Sequence, residues 1–326
     1  MLSWYKKIQQ QKGLSYLFTK IVLFAVLLIA ADQLTGRTLR YFFSRQKSGW
    51  ERETTFALNE AHADIVILGS SRAQHSYNTE IIARAFNMSC YNAGRDGQSI
   101  LYHYPVFKAM LDRYTPKMVI LDCESDMFSI NSYSYERISC LLPYYHTHPN
   151  ISSYIALRSP YEKYKLLSAT YPYNSMILKI AAGNIKNPNP ETDGINGYLP
   201  LPNSLHEPIR TVDYTGKEYL LDTVKLNLYK QLIADCKSRN IQLYVCTSPY
   251  FSHFIGEESS VKGCRETAQS RQIPYFDFSF DTSFLNHSDY FDDTAHVNHQ
   301  AATLFTNLLC EKIQQAQTGT RSNGNK

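Results

Sequence analysis

The chain has 326 residues, of which 44% are hydrophobic and 19% charged, and its formal net charge is +4 at pH 7. This composition is typical of a folded globular protein and excludes a highly charged disordered chain. Because the lysines and arginines are dispersed rather than gathered into a basic stripe, we expect no nucleic-acid partner.

The first predicted element is an apolar helix near the N-terminus. A basic segment, residues 1–16, precedes the unbroken apolar run from Ile21 to Ala31. We predict a signal anchor or transmembrane helix over residues 17–35; a cleaved signal peptide and a buried helix of the fold are the alternatives. The sequence Ile29-Ala30-Ala31-Asp32 is a poor cleavage site, which favours retention as a membrane anchor.

The orientation of this anchor is less clear from the sequence than its existence. Four basic residues follow the apolar run as closely as lysines precede it: Arg37, Arg40, Arg45 and Lys47. These charges do not set the orientation, and we expect the domain that follows to lie outside the cytoplasm, in the periplasm or at the cell surface. Residues 36–60 are predicted to form a linker.

Strand and helix patterns alternate through the predicted domain, residues 61–317. Five short runs, mostly apolar on both faces, predict strands at Asp64–Leu68, Ser89–Ala93, Met118–Asp122, Gln242–Thr247 and Pro274–Phe278. Helical patterns lie at Thr79–Phe86, Ser99–Tyr114, Lys217–Lys237, Glu258–Gln272 and His299–Gln314. This alternation predicts a doubly wound α/β domain whose parallel sheet is covered on both faces.

The alternation is interrupted by an insertion, residues 128–215, that is rich in tyrosine, asparagine and proline. We predict that it caps the sheet, and that residues 184–203 form an irregular loop. Its tyrosines suit a lid over a sugar substrate, but they also suit the interfaces between amphipathic helices. The tail, residues 318–326, is predicted to be disordered.

Two distant motifs supply the side chains of a serine esterase. Ser71 follows the first predicted strand, and Asp293 and His296 stand three positions apart before the last predicted helix. A serine hydroxyl needs a base to take its proton, and a carboxylate that orients the imidazole improves that base. The sequence therefore predicts Ser71 as nucleophile, His296 as general base and Asp293 as its orienting acid.

Ester hydrolysis also needs hydrogen-bond donors for the oxyanion of the tetrahedral intermediate. The turn from Asn92 to Gly97 follows the second predicted strand and contains two glycines, Gly94 and Gly97. The backbone N–H groups of Gly97 and Ser71 are the candidate donors. Asn92, Gly94 and Arg72 are candidate substrate contacts, although a structural, salt-bridged role for Arg72 is also open.

These motifs, in this order, resemble blocks I, II and V of the SGNH/GDSL hydrolase superfamily. The stretch from Tyr290 to Asn298 is especially similar to the last block. The resemblance implies a flavodoxin-like three-layer α/β/α fold, ester hydrolysis or acyl transfer, and no metal or other cofactor. It also implies an oxyanion hole built from Ser71, Gly97 and an asparagine of block III.

The sequence departs from the family pattern at two positions. Ser70 stands where block I usually has aspartate, as in membrane-anchored relatives that modify surface polysaccharides. Cys123-Glu124-Ser125-Asp126 stands where block III should supply its asparagine. Ser125 is the candidate third donor, with Asn131 or another residue of the insertion as alternatives. This gap also leaves open a catalytically inactive glycan-binding or assembly protein.

Other interpretations of the same residues stay open. Ser70 is the alternative nucleophile, and residues 69–73 nearly match the nucleophile elbow of α/β-hydrolases. A metal could bind among His287, Asp292, Asp293, His296 and His299. The seven cysteines lack a zinc-type spacing, and one or two disulfides are compatible with an oxidising compartment.

The prediction as a whole is an anchored serine esterase or acyltransferase without a cofactor. Its expected partners are the membrane, through the N-terminal helix, and an ester-bearing small molecule or glycan. The acyl group is expected to be small, such as acetyl, by analogy with anchored relatives.

Overall fold

The computed structural model describes residues 2–189 and 194–323, and it begins with a single long helix, α1 (Leu2–Phe43). Residues 13–31 are exposed all round, and Asp32 is the first partly buried position. The part from Gly13 to Phe43 is long and apolar enough to cross a membrane. This accords with the predicted apolar helix, which the structure extends further into the chain.

Residues 36–60 do not form the predicted linker. The end of α1 packs against the body, because Gly36, Leu39 and Phe43 recur at helical spacing on one face and are buried or partly buried. A second helix, α2 (Trp50–Asn59), follows and buries Ala57 and Leu58. The basic residues around these positions hide the apolar pattern in the sequence.

The central sheet has five parallel strands. Their bounds in chain order are β1 (Ile65–Leu68), β2 (Cys90–Asn92), β3 (Met118–Asp122), β5 (Gln242–Thr247) and β7 (Tyr275–Asp277). The order across the sheet is β2-β1-β3-β5-β7, and every pair is parallel. The direction of strand order reverses at β1, as in flavodoxin-like folds, and ligands bind beyond the carboxyl ends of strands at such a point.

Helices cover both faces of this sheet. Those in the α/β domain are α3 (Ser71–Ser76), α4 (Thr79–Phe86), α5 (Ile100–Leu111), α10 (Thr223–Ser238), α11 (Ser259–Ser270), α12 (Thr282–Leu285) and α13 (His299–Asn323), with a 3₁₀ turn at Ser288–Tyr290. Alternate residues of each strand face opposite sides. Val66 and Leu68 join one buried cluster with α5 and α10, and Ile65 and Ile67 join the other with α13. The predicted doubly wound α/β fold is confirmed.

The first half of the insertion is helical. It contains α6 (Ser132–Arg137), α7 (Pro149–Ile155), α8 (Glu162–Lys165) and α9 (Ile177–Ile185), with 3₁₀ helices at Ile138–Tyr144 and Tyr171–Met176. Several of its tyrosines fill helix interfaces: Tyr144 and Tyr173 are buried against Phe43 of α1. This half therefore enlarges one core cluster of the domain.

The second half of the insertion is mostly irregular, as predicted where it is described. One short strand, β4 (Arg210–Asp213), pairs in parallel with β6 (Ser252–Ile255) as a separate two-stranded sheet. The sequence did not predict this pair, because its strands are largely exposed and lack an apolar run. Helix α13 is described to Asn323, so it overlaps the predicted tail, whose residues 324–326 lie outside the described residues.

Candidate active site

The structure brings Ser71 and His296 into direct contact at the carboxyl edge of the sheet. The Ser71 Oγ atom lies 2.7 Å from His296 Nε2. His296 Nδ1 lies 2.9 Å from both carboxylate oxygens of Asp293. With the proton on Nδ1 donated to Asp293, Nε2 is left as an acceptor for the Ser71 hydroxyl. The three side chains thus form one continuous hydrogen-bonded chain.

A tight turn after β1 positions Ser71. Gly69 has φ +150°, and a Cβ there would lie 2.7 Å from Ala73 Cβ and 2.9 Å from Asp122 Cβ, so a side chain does not fit. Ser70 then caps α3, because its Oγ accepts a hydrogen bond from the Arg72 backbone N–H at 3.3 Å. Ser71 is the first residue of α3, so its own N–H has no intrahelical acceptor and faces the site end of the helix.

The loop that carries the acid and the base is held by its own hydrogen bonds. Asp293 Oδ1 accepts from the backbone N–H groups of Ala295 at 2.7 Å and His296 at 2.9 Å. Partial burial would raise the pKa of Asp293, but the His296 contact and these backbone donors hold that pKa below its usual value. The carboxylate is therefore ionised at neutral pH and able to orient the imidazole.

Arg72 ties this loop to the end of β5. Its guanidinium donates to the carbonyl oxygens of Ala295 at 2.5 Å, Ser248 at 2.6 Å and Pro249 at 2.8 Å, and it lies 3.4 Å from the centre of the Tyr250 ring. The residue is 3% exposed. These contacts match the structural alternative for Arg72 and leave it poorly placed as a substrate contact.

Asn92 and Gly94 make hydrogen bonds within the protein that fix the turn after β2. Asn92 is buried, its Nδ2 donates to the Ala73 carbonyl at 2.7 Å, and its Oδ1 accepts from the Gly94 N–H at 2.9 Å. The turn is further fixed by the Arg95 N–H, which donates to the Gly69 carbonyl at 3.0 Å. The turn from Asn92 to Gly97 is thus anchored beside the Ser71 turn.

Gly97 lies under a side chain of the insertion. It has φ +64°, and the Arg137 guanidinium occupies the space that a Cβ would take. Arg137 Nη2 donates to the Asp96 carbonyl at 3.0 Å, and its other Nη bonds the hydroxyl of Tyr133, whose ring is 64% exposed. The insertion therefore contributes polar and aromatic groups to the rim of the candidate oxyanion turn.

Ser125, the candidate third oxyanion donor, is bound to Tyr250. Its backbone N–H donates to the Tyr250 hydroxyl at 2.8 Å, and its Oγ accepts from that hydroxyl at 3.2 Å. The alternative donor, Asn131, caps α6 by accepting from the Ser134 N–H. The third oxyanion donor expected from the family resemblance therefore stays a prediction, because the contacts of Ser125 are with Tyr250 and those of Asn131 are within the insertion.

Glu124 occupies the position next to Ser70, and the sequence did not single it out. The Ser70 hydroxyl donates to the Glu124 carboxyl group in a short contact. Burial and the nearby Asp122 raise the pKa of Glu124 to about 7, against the Ser70 hydrogen bond and the Arg72 charge, which lower it. Since Ser70 is engaged in this way, the hydroxyl that faces the imidazole is that of Ser71.

A second histidine, His75, also lies at the site. Its ring stands edge-on to that of His296, with centroids 5.4 Å apart, and its Nδ1 contacts the Leu199 carbonyl at 2.7 Å. Burial lowers the pKa of His75, although the Leu199 contact opposes this. The sequence assigned no role to His75 or to Glu124, which stands in the block III position, because their contacts with His296 and Ser70 are made only in the tertiary fold.

The sequence also left open a metal site around His296 and one or two disulfides. Among residues 2–189 and 194–323, no group of three His, Cys, Asp or Glu side chains stands together as a metal-binding cluster. His299 instead contacts the Tyr198 hydroxyl at 2.9 Å, away from the His296 contact with Ser71. All seven cysteines, which lie within the described ranges, are buried and unpaired.

Comparison with known proteins gives distant structural matches. No protein-family model matches the chain, and neither does any curated protein. One matching structure is the psychrotrophic esterase EstA from a Pseudoalteromonas species, at 10% identity and a TM-score of 0.39, covering 78% of this chain and 99% of the esterase. Another, from Bacteroides fragilis, is a protein to which acylhydrolase activity is ascribed, at 13% identity and a TM-score of 0.41, covering 82% of this chain and 97% of that one.

Proposed function

We propose that this protein is a membrane-anchored serine esterase or acyltransferase that works through Ser71, His296 and Asp293. The observation that carries the proposal is the 2.7 Å contact between Ser71 Oγ and His296 Nε2, continued by the contact of His296 with Asp293. These groups come from two turns at opposite ends of the domain sequence. Such an arrangement activates a serine for attack on an acyl carbon.

The reaction would proceed in two stages. Ser71 Oγ attacks the ester carbonyl while His296 Nε2 takes its proton, and the resulting tetrahedral intermediate expels the alcohol, which leaves with that proton. A second hydroxyl compound then attacks the acyl-Ser71 ester, with His296 again taking and returning the proton. Water in this step gives hydrolysis, and a sugar hydroxyl gives acyl transfer.

The oxyanion would be stabilised by the backbone N–H groups of Ser71 and Gly97. Ser71 offers its N–H because it begins α3, and Gly97 lies in the turn bound to the Ser71 turn. Loss of one oxyanion donor typically costs roughly 2.7 to 4 kcal/mol of transition-state stabilisation. An oxyanion hole with these two donors alone would therefore give a slow enzyme on simple activated esters.

We further propose that the substrate is a small acyl ester on a glycan of the cell envelope and that the domain lies outside the cytoplasm. Support comes from the apolar helix at the N-terminus and from the exposed Tyr133 and the partly buried Arg137 beside Gly97, which offer an aromatic face and hydrogen-bond donors suited to a sugar. Tyr133→Ala would then raise KM for a glycan ester while leaving that for a small aryl ester unchanged.

A fluorophosphonate probe tests the nucleophile directly. The full chain should be labelled, and labelling should vanish in Ser71→Ala but persist in Ser70→Ala, which keeps the Ser71–His296 contact. Retained labelling of Ser71→Ala would overturn this assignment. Absence of labelling in the wild type, together with binding of envelope glycan, would support the alternative of an inactive glycan-binding protein, which the missing block III asparagine suggests.

A further inference from the structure

We propose that a short segment of the insertion, residues 161–167, rests on the membrane surface beside α1 and fixes the catalytic domain against the bilayer. We refer to these residues as the interface segment. This inference rests on the proposed membrane anchor and is independent of the catalytic assignment. Three observations support it: the fully exposed part of α1 ends at Asp32, the insertion binds α1 at that residue, and the interface segment presents apolar and aromatic side chains to solvent.

The length of α1 sets the level of the bilayer edge. The charged residues Lys20 and Asp32 bound its apolar run and are twelve residues apart, which is about 18 Å along a helix. The hydrocarbon core is about 30 Å thick. In a helix that spans this core, the backbone of at least one of the two charged residues must therefore lie inside the hydrocarbon, and the lysine, on its long stem, can extend from there toward the headgroups.

Asp32 cannot extend in this way, because the insertion holds it. Its carboxylate accepts from the Ser168 hydroxyl at 2.6 Å and from the backbone N–H groups of Ala169 at 2.8 Å and Thr170 at 3.2 Å. One turn later Gly36 packs so closely on Ala169 that a Cβ would lie 2.4 Å from its backbone. The insertion is thus fixed to α1 at the residue where the fully exposed stretch ends.

The interface segment comes immediately before these contacts. Its inner face is fixed to the body, because Leu166 is 4% exposed in a core cluster of the domain and Glu162 is 1% exposed and binds Arg158 at 2.9 Å. Its outer face presents Tyr161, Tyr164 and Leu167, which recur every third residue and are 64%, 60% and 78% exposed. Three apolar or aromatic side chains therefore face away from the body within a few residues of the Asp32 contact.

The composition of this outer face suits a lipid headgroup boundary. Tyrosine is enriched at membrane–water interfaces, where its ring and hydroxyl meet both environments. Lys163 lies over the Tyr164 ring at 4.9 Å, and the Lys165 side chain is 43% exposed, so cations flank the rings. Basic residues at this level attract anionic lipid headgroups. Exposed tyrosine and leucine side chains flanked by lysines, next to a membrane helix, therefore favour contact with lipid headgroups over exposure to water.

Fluorescence quenching by brominated lipids tests this proposal on the full chain in nanodiscs. The two native tryptophans are first replaced, Trp4→Phe and Trp50→Phe, and a single tryptophan is then introduced by Leu167→Trp. Leu220→Trp is the matched control, since Leu220 is 83% exposed but lies in the segment joined to Ser259 rather than to α1. Leu27→Trp, within the apolar run, reports whether α1 is embedded.

We expect lipids brominated near the headgroup end of their chains to quench the Leu167→Trp variant and the Leu27→Trp variant, but not the Leu220→Trp variant. Quenching of Leu27→Trp alone would overturn the proposal, because the interface segment would then stand in water. No quenching of Leu27→Trp would also overturn it, by removing the anchor on which it rests. Equal quenching of the Leu167→Trp and Leu220→Trp variants would also overturn the proposal, because the interface segment would then contact the membrane no more than a distant exposed loop does. Fluorophosphonate labelling of the same samples reports separately on the active site.

Discussion

The Ser70 hydroxyl donates a short hydrogen bond to Glu124, so the residue before the nucleophile is bound to a partly buried carboxyl group just past the end of the neighbouring strand. Burial and Asp122 raise the pKa of this group to about 7, far above the 4.5 of an exposed glutamate. Because β1 and β3 are adjacent and parallel, their carboxyl ends meet at this edge. The ionisation of Glu124 is therefore coupled to the nucleophile turn.

Glu124→Gln should change how stability depends on pH. A carboxyl group whose folded pKa lies above its unfolded value stabilises the protein fully below the unfolded pKa and loses this contribution as the pH rises through the folded one. The wild type should therefore lose stability between pH 5 and 8 relative to the variant, by up to about 3 kcal/mol. Thermal unfolding at several pH values measures this difference.

Glu60→Gln provides the control for that experiment. The Arg52 contact holds the pKa of Glu60 below its usual value, so its contribution is complete above pH 5 and constant up to pH 8. The stability difference between Glu60→Gln and the wild type should then be flat over this range. A flat difference for Glu124→Gln as well would mean that Glu124 does not titrate between pH 5 and 8.

Asp293→Asn should lower kcat by up to about 10⁴-fold with little change in KM. An asparagine can still accept from the backbone N–H groups of Ala295 and His296. Its amide nitrogen, however, presents hydrogens to His296 Nδ1, which favours the tautomer with the proton on Nε2 and leaves Ser71 without a base. Steady-state kinetics on an aryl acetate measure the loss.

The neighbouring Asp292→Asn is the matched control for this variant. Asp292 Oδ1 accepts from the Asn203 backbone N–H at 2.9 Å and does not contact the imidazole. Its replacement should leave kcat within a few-fold of the wild type. Equal losses in both variants would mean that the loop tolerates no substitution, and the acid role of Asp293 would lose its support.

Arg72→Lys should reduce both stability and kcat. A lysine cannot reach the Ala295 carbonyl and the Ser248 carbonyl together, so one side of the buried network loses its donor. Loss of a partner from a buried charged network typically costs about 3–5 kcal/mol. Unfolding in urea should show this loss, and kcat should fall because the carbonyl before His296 is no longer held.

Arg239→Lys separates this effect from the general cost of replacing an arginine. Arg239 also donates to a carbonyl, that of Leu111 at 3.2 Å, but it precedes β5 and so lies at the opposite edge of the sheet from Ser71. We expect a small stability change and unchanged kcat. If Arg72→Lys behaved the same way, Arg72 would not hold the catalytic loop.

The main features of the domain were predictable because they are local in the sequence. Five apolar runs became the five strands of the sheet, and Ser71, Asp293 and His296 met as their places after β1 and before α13 require. A continuous apolar run indicates a strand that is buried on both faces of a sheet. Two residues three positions apart in a turn lie on the same side of it, so their side chains can meet. These features needed no knowledge of long-range packing.

The features that were missed depend on contacts between distant segments. Glu124 and His75 are ordinary polar residues in the sequence, and only the fold brings them beside Ser70 and His296. The contact of Ser125 with Tyr250 likewise joins residues 125 positions apart. The strand pair of β4 and β6 is exposed, so its pairing leaves no apolar pattern to detect.

The junction between α1 and the insertion gives a last prediction, based on two glycines of one helix. A Cβ at Gly36 would lie 2.4 Å from the Ala169 backbone, whereas one at Gly13 would meet nothing within 4 Å. Alanine favours a helix over glycine by roughly 0.5–1 kcal/mol, so Gly13→Ala should not destabilise the protein. Gly36→Ala should destabilise it by about 1–3 kcal/mol, because the overlap with backbone forces the helix and the insertion apart.

Thermal unfolding of both variants in nanodiscs, followed by near-UV circular dichroism, compares them. Equal midpoints would show that α1 and the insertion are not packed together, because only a close contact can make the same substitution act with opposite sign at two positions of one helix.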